Sequence, residues 1–223
     1  ILLVHGFGGD ADRWLFTQQP LSSNATVYAL DLPGHGQSTK NIQDGSVESL
    51  AKTVIAFMKA LDIDSAQLVG HSLGGAIALK IALIEPELVS RLDLIASAGL
   101  GPEINNEYIQ GFISTDSRKE MKKLLQKLVA DPDLVNRSLV NDMLQFKRTD
   151  GVNAALKTIS TGFIGADGSQ SDIMKEELHQ LPMPVRVIWG NNDEIIPSAH
   201  AESLPPNVEV KLLDGYGHLV QLE

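Results

Sequence analysis

The order of two kinds of segment constrains this chain most. Short continuous apolar runs at residues 1–4, 26–30, 66–69 and 92–96 each end near Gly, Asp or Ser. Between the later runs lie helix-length stretches, 46–61 and 73–84, whose apolar residues recur at a spacing near 3.6. A strand that reads as an unbroken apolar run is covered on both faces, and strand alternating with helix builds such a sheet from parallel strands. The pattern predicts an α/β fold, a mostly parallel central sheet flanked by helices.

From residue 99 to about 181 the strand pattern stops. Met121, Leu124, Leu125, Leu128 and Val129 form one apolar stripe, and Arg118, Lys119, Lys122, Lys123 and Lys127 take the opposite face. This is the signature of a helical insertion. Pro182 and Pro184 mark the return to strand-like runs at 185–189 and 208–213, with a short helix expected at 199–203 between them. The expected organisation is a core of residues 1–98 and 182–223, with 99–181 as a helical cap over the carboxyl ends of the strands.

Composition narrows the function. The 223 residues suit one domain, and 43% hydrophobic with 21% charged residues is an ordinary globular balance. A net charge of -10 opposes binding to a phosphate backbone. No apolar run is long enough to span a bilayer. With no cysteine, a Cys nucleophile, a thiolate metal site and a disulfide framework are all excluded, which fits a cytoplasmic chain. Zinc-protease, phosphate-loop and dinucleotide fingerprints are absent, so neither a metal nor a bound cofactor is expected. The chain opens at Ile1 inside a strand-like run, so any leader would lie outside what can be read.

The run at 66–69 leads into Gly70-His71-Ser72-Leu73-Gly74 and then a small-residue helix. The bare G-x-S-x-G pattern is weak, but a strand before it and a helix after it describe a tight turn that projects a serine hydroxyl clear of the sheet. Glycines at 70 and 74 remove side chains that such a turn would crowd. Ser72 is therefore the candidate nucleophile. A serine hydroxyl needs a base within reach. Of His5, His35, His71, His179, His200 and His218, the last sits on a glycine-flanked loop just after the final strand-like run. His218 is the expected base, His71 a minor wall of the site, and His179 and His200 solvated. Asp193, on the loop after the run at 185–189, stands where an orienting carboxylate belongs in chain order, with Glu194 and Asp214 as nearby alternatives. Backbone N–H groups of Leu73, after the nucleophile, and of Phe7, in His5-Gly6-Phe7-Gly8-Gly9, are the expected oxyanion donors. Asp31 to Ser38 reads as a turn.

His5-Gly6, Asp31 to Ser38, Gly70 to Gly75, Trp189-Gly190 with Asp193, and Gly217-His218 together resemble the α/β-hydrolase superfamily, in order along the whole chain. That resemblance implies an eight-stranded, mostly parallel sheet, whose first two strands and last helix would lie outside residues 1–223. Segments 5–10, 99–105 and 218–223 more closely resemble the hydrolase-type domain of the acetoin dehydrogenase complex acetyltransferase component. In that family a lipoyl domain precedes the hydrolase-like domain on the same polypeptide. No lipoyl-attachment Asp-Lys-Ala and no His-x-x-x-Asp-Gly motif is present here, so acyl transfer would run through Ser72.

The resulting expectation is a serine acyl-transfer enzyme acting on a small acyl substrate, delivering the acyl group to water or to a dihydrolipoyl thiol. Its partners would be a lipoyl domain or dehydrogenase-complex subunits, and the basic face from Arg118 to Lys127 could dock an acidic lipoyl domain. Carbon-carbon bond hydrolysis and carboxylesterase activity use the same residues. Epoxide hydrolases and dehalogenases carry Asp where this chain has Ser72. The reading from another class, an idle scaffold or ligand-binding domain, would go with a broken triad, whereas all three residues are present.

Overall fold

A computed structural model describes residues 1–223. Six strands form one all-parallel sheet in the order β2-β1-β3-β4-β5-β6. They are β1 (Leu2–Val4), β2 (Tyr28–Leu30), β3 (Ala66–His71), β4 (Val89–Ile95), β5 (Val185–Gly190) and β6 (Val208–Leu213). The helices that carry the chain back between them include α1 (Leu15–Leu21), α2 (Val47–Ala60) and α3 (Leu73–Ile84). Leu2 and Val4 join the main core with α2 and α3, while Leu3 turns to the opposite face with Trp14, Val69 and Ile95. That alternation within a wholly apolar run is what a strand covered on both faces requires.

The sheet order places the site. β1 lies beside β3 with Val4 opposite Gly70, so the loop after β1 emerges next to the turn after β3. β5 and β6 follow on the far side of β4, and their loops leave from the same, carboxyl edge of the sheet. α3 runs back across β1 at very close range. A side chain at Gly74 would put its Cβ 2.3 Å from the Val4 carbonyl oxygen, so only glycine lets this helix start where it does.

Between β4 and β5 the chain forms α4 (Asn106–Ser114), α5 (Arg118–Gln126), α6 (Arg137–Lys147) and α7 (Val152–Phe163). Three of them start at side-chain caps: Asn105 accepts from the Tyr108 N–H, Ser117 from Glu120 and Asn136 from Leu139. The apolar faces of these helices pack into the main core rather than forming one of their own.

Some local expectations shift. The stripe on α5 outlasts its helix: Leu128 and Val129 are buried but lie beyond Gln126. The run at 26–30 keeps only its last three residues as β2, whereas the run at 92–96 starts three residues early and stops at Ile95, because Ala96 takes a left-handed φ of 44°. The short helix at 199–203 is a single 3-10 turn, Ser198–Ala201. No helix is long and apolar enough to cross a membrane.

Candidate active site

Ser72 occupies the turn between β3 and α3 with φ 54° and ψ -121°, a conformation unfavourable for any residue with a side chain. Four backbone bonds hold it there: Ser72 N–H donates to the Ile95 carbonyl at 3.0 Å, and the Ser72 carbonyl accepts from Gly75 at 2.8 Å, Ala98 at 3.0 Å and Ala76 at 3.3 Å. The loop after β1 presses against this turn. A Cβ on Gly6 would lie 2.9 Å from the Ser72 Cβ.

His218 is buried on the loop after β6, and its Nδ1–H donates to Asp193 Oδ2 at 2.7 Å. The Asp193 carboxylate is closed to solvent and takes three further hydrogen bonds. Oδ1 accepts from the Ile195 and Ile196 N–H groups at 2.8 and 3.0 Å, and Oδ2 from the Trp189 indole at 3.0 Å. Glu194 and Asp214, the other acids on these loops, are both exposed and do not touch His218. Ser72, His218 and Phe7 line one cavity of about 40 Å³, roofed by Tyr108 and Phe112 of α4 and Met143 of α6. Ser72 Oγ makes no hydrogen bond to His218, a looseness common in unliganded sites.

The Phe7 N–H faces no protein acceptor. Leu73 is the first residue of α3, where an amide has no partner within its helix. The Phe7 loop is propped by two buried histidines whose roles the sequence did not reveal. His35 Nε2 accepts from the Gly8 N–H at 3.0 Å and its Nδ1–H donates to the Pro33 carbonyl. His5 Nε2 accepts from the Leu32 N–H at 3.0 Å and its Nδ1–H donates to the Gly6 carbonyl. Burial holds both rings neutral, pushing His5 down to about 4 and His35 to about 3. Asp31 completes the turn, accepting from the Ala11 and Gln37 N–H groups. The turn expected from Asp31 to Ser38 is thus the brace behind the Phe7 loop.

His71 does more than wall the site. Its Nε2–H donates to the His218 backbone carbonyl at 2.9 Å, joining the end of β3 to the loop after β6, and burial first, then the neighbouring His218, lowers its affinity for a second proton. The expectation of a solvated His200 is corrected: the ring is only 6% exposed, bonded to Glu103 at 2.7 Å and set edge-on against Trp189. The polar surroundings of the 3-10 turn concealed that it tucks beneath Gly101. His179 is exposed.

A family model described as the alpha/beta hydrolase fold matches residues 1–223. Over its whole length the chain is 45% identical to the dihydrolipoyllysine-residue acetyltransferase component of the acetoin cleaving system of Pseudomonas putida, and 42% identical to that of Cupriavidus necator. It spans 59% of each of those relatives. Among solved structures, a meta-cleavage product hydrolase from Pseudomonas fluorescens IP01 superimposes with a TM-score of 0.86 at 26% identity, covering 99% of this chain and 84% of that one. With its parallel sheet, its strand-turn-helix serine and a family match from end to end, the chain belongs to the α/β-hydrolase fold family.

Proposed function

We propose that this chain is a serine-nucleophile acyl-transfer enzyme in which Ser72, His218 and Asp193 form the catalytic triad. The observation that carries the reading is the shared cavity of Ser72 and His218, with the His218 ring held from behind by Asp193 at 2.7 Å. With Nδ1–H committed to the carboxylate, Nε2 keeps the free lone pair that a general base needs.

Ser72 Oγ attacks the acyl carbonyl carbon and its proton passes to His218 Nε2. The carbonyl oxygen becomes an oxyanion between the Phe7 and Leu73 N–H groups, and each such donor is worth about 3 to 4 kcal/mol of barrier. The tetrahedral intermediate collapses as the bond to the leaving group breaks, and that group departs with the proton from His218. An acceptor then gives its proton to His218, attacks the acyl-serine and releases the Ser72 hydroxyl.

The relatives named as acetyltransferase components support an acetyl group as the one carried, with a dihydrolipoyl thiol or water as acceptor and other subunits of an acetoin-cleaving complex as partners. The small cavity beside Ser72 suits an acyl group of that size. The likeness to a meta-cleavage product hydrolase favours carbon-carbon bond hydrolysis as a second reading. Supplying an acetyl thioester with both water and dihydrolipoamide present, and a vinylogous diketone in parallel, separates the three by their products. His218→Ala should lower kcat as far as Ser72→Ala does, and Asp193→Ala should leave more residual rate because it orients the base without touching substrate.

A further inference from the structure

The triad and its oxyanion donors leave the Tyr108 hydroxyl without a task. Tyr108 stands on the buried face of α4, lines the cavity beside Ser72 and is only 4% exposed. Its hydroxyl bonds to nothing in the protein, yet the oxygen is not sealed in the core as the Trp14 indole nitrogen is. What opening it has is toward the cavity. Burial pushes its pKa further above the ordinary phenol value, so the hydroxyl keeps its proton and serves as a neutral donor and acceptor. A buried tyrosine hydroxyl normally finds a partner, and here the partner has to enter the cavity.

The position of the hydroxyl is fixed from the catalytic side. Asn105, which caps α4 by accepting from the Tyr108 N–H at 2.9 Å, is itself held on the loop that carries Asp193. Its N–H donates to the Ile195 carbonyl at 2.8 Å and its Nδ2 to the Glu194 carbonyl at 3.0 Å. One turn further along α4, Phe112 stacks on the Tyr108 ring at 6.1 Å and meets Phe7 edge-on at the same distance. Tyr108 is thus set between the loop of the acid and the loop of the oxyanion donor.

The reacting carbonyl oxygen has the Phe7 and Leu73 N–H groups, and His218 carries the proton of the leaving and entering groups. His71 spends its Nε2–H on the His218 carbonyl, and Arg13 is directed at Asp10 at 3.9 Å and the Met143 sulfur at 3.1 Å. The other side chains of the cavity, Ile109, Leu125 and Leu128 among them, are apolar. A second substrate oxygen is what the hydroxyl lacks. The leaving group departs and the acceptor arrives, but the acyl group stays through both half-reactions, so an oxygen on it satisfies the hydroxyl throughout. That oxygen is uncharged, because a neutral phenol among apolar walls does not offset the desolvation of a carboxylate. A cavity of about 40 Å³ keeps the group short.

On the acyl-transfer reading, we propose that Tyr108 selects the acyl group, and that the preferred group is a short hydroxyacyl or oxoacyl. The Tyr108 hydroxyl hydrogen-bonds to a hydroxyl or keto oxygen on the first or second carbon beyond the reacting carbonyl.

The test uses ethanethiol thioesters of propanoate, lactate, butanoate and acetoacetate, with thiol release followed over time. Each kcat/KM is divided by the alkaline hydrolysis rate of the same thioester, which removes intrinsic reactivity. Lactoyl should exceed propanoyl, or acetoacetyl exceed butanoyl, by roughly tenfold, the effect of one hydrogen bond in an apolar site. Tyr108→Phe should bring that ratio to about one, with fluorophosphonate labelling of Ser72 reporting that the variant is folded. Corrected values that do not favour either oxygen-bearing group overturn the proposal, and this arm decides even if the variant does not fold. So does a Tyr108→Phe loss that is equal for all four thioesters, which would give the hydroxyl to a water or to packing. If the unaltered protein is not labelled at Ser72 and turns over no thioester, the acyl-transfer reading has failed. Tyr108 is then judged alone, by NMR-detected binding of lactamide against propanamide and of acetoacetamide against butanamide. Tighter binding of an oxygen-bearing amide that is lost in Tyr108→Phe supports its role, and equal binding within both pairs overturns it.

Discussion

The Trp189 indole donates to the same Asp193 oxygen that accepts the His218 Nδ1–H, at 3.0 Å, and shares its hydrogen with the Ile196 carbonyl at 3.1 Å. Trp189 belongs to β5 and is fully buried, so the carboxylate is referenced to the sheet rather than to its own loop. Trp189→Phe keeps an aromatic ring in the core and removes the donor. It should lower kcat/KM about tenfold and cost about 1 to 2 kcal/mol of stability. Kinetics and denaturant unfolding measure both, and an unchanged kcat/KM would leave the indole a packing role only.

The His218 loop is anchored on two further sides. His71 donates to the His218 carbonyl, and the Glu223 carboxylate accepts from both the Gly217 N–H and the Ala130 N–H, each at 2.8 Å. The second anchor ties the base to the segment following α5. His71→Ala should lower kcat about tenfold through misplacement of the base, with KM little changed. His71→Gln, which supplies an amide donor, should recover part of the loss. An alanine variant that raises KM alone would point to a contact with substrate instead.

Stability should fall on mild acidification, before carboxylates titrate. His5 and His35 are neutral in the fold with values near 4 and 3, whereas in the unfolded chain a histidine titrates near 6.5. Between those limits the unfolded state binds more protons, so unfolding is favoured as pH drops. The stabilisation is complete above about pH 6.5 and shrinks toward pH 4, by about 1.4 kcal/mol per pH unit for each histidine near the middle of that window. Urea unfolding at several pH values measures the slope. His35→Gln should reduce it by about one proton's worth, and an identical slope in that variant would contradict the assignment.

Much of the fold and site could be read in the sequence because the signals are local. The apolar runs at 1–4 and 66–69 fix two buried strands, and the small residues around Ser72 announce a turn that only short contacts permit. What escaped depends on distance along the chain. His71 acts on a carbonyl 147 residues away, so its neighbours in sequence give no hint of its partner. His200 sits in a polar stretch yet is covered by residues from the other side of the helical segment. Arg13 belongs to no motif in the sequence, and only the fold brings it to the edge of the Ser72 cavity.

The central claim is a covalent acyl group on Ser72, and it is open to direct observation. The protein is mixed with an acetyl thioester, quenched in acid within the first turnover, digested and weighed by mass spectrometry. The peptide containing Ser72 should carry one acetyl group whose appearance keeps pace with thiol release, and Ser72→Ala should show neither the adduct nor the release while remaining folded. Rapid thiol release with Ser72 unmodified, or equal release from Ser72→Ala, would contradict the account.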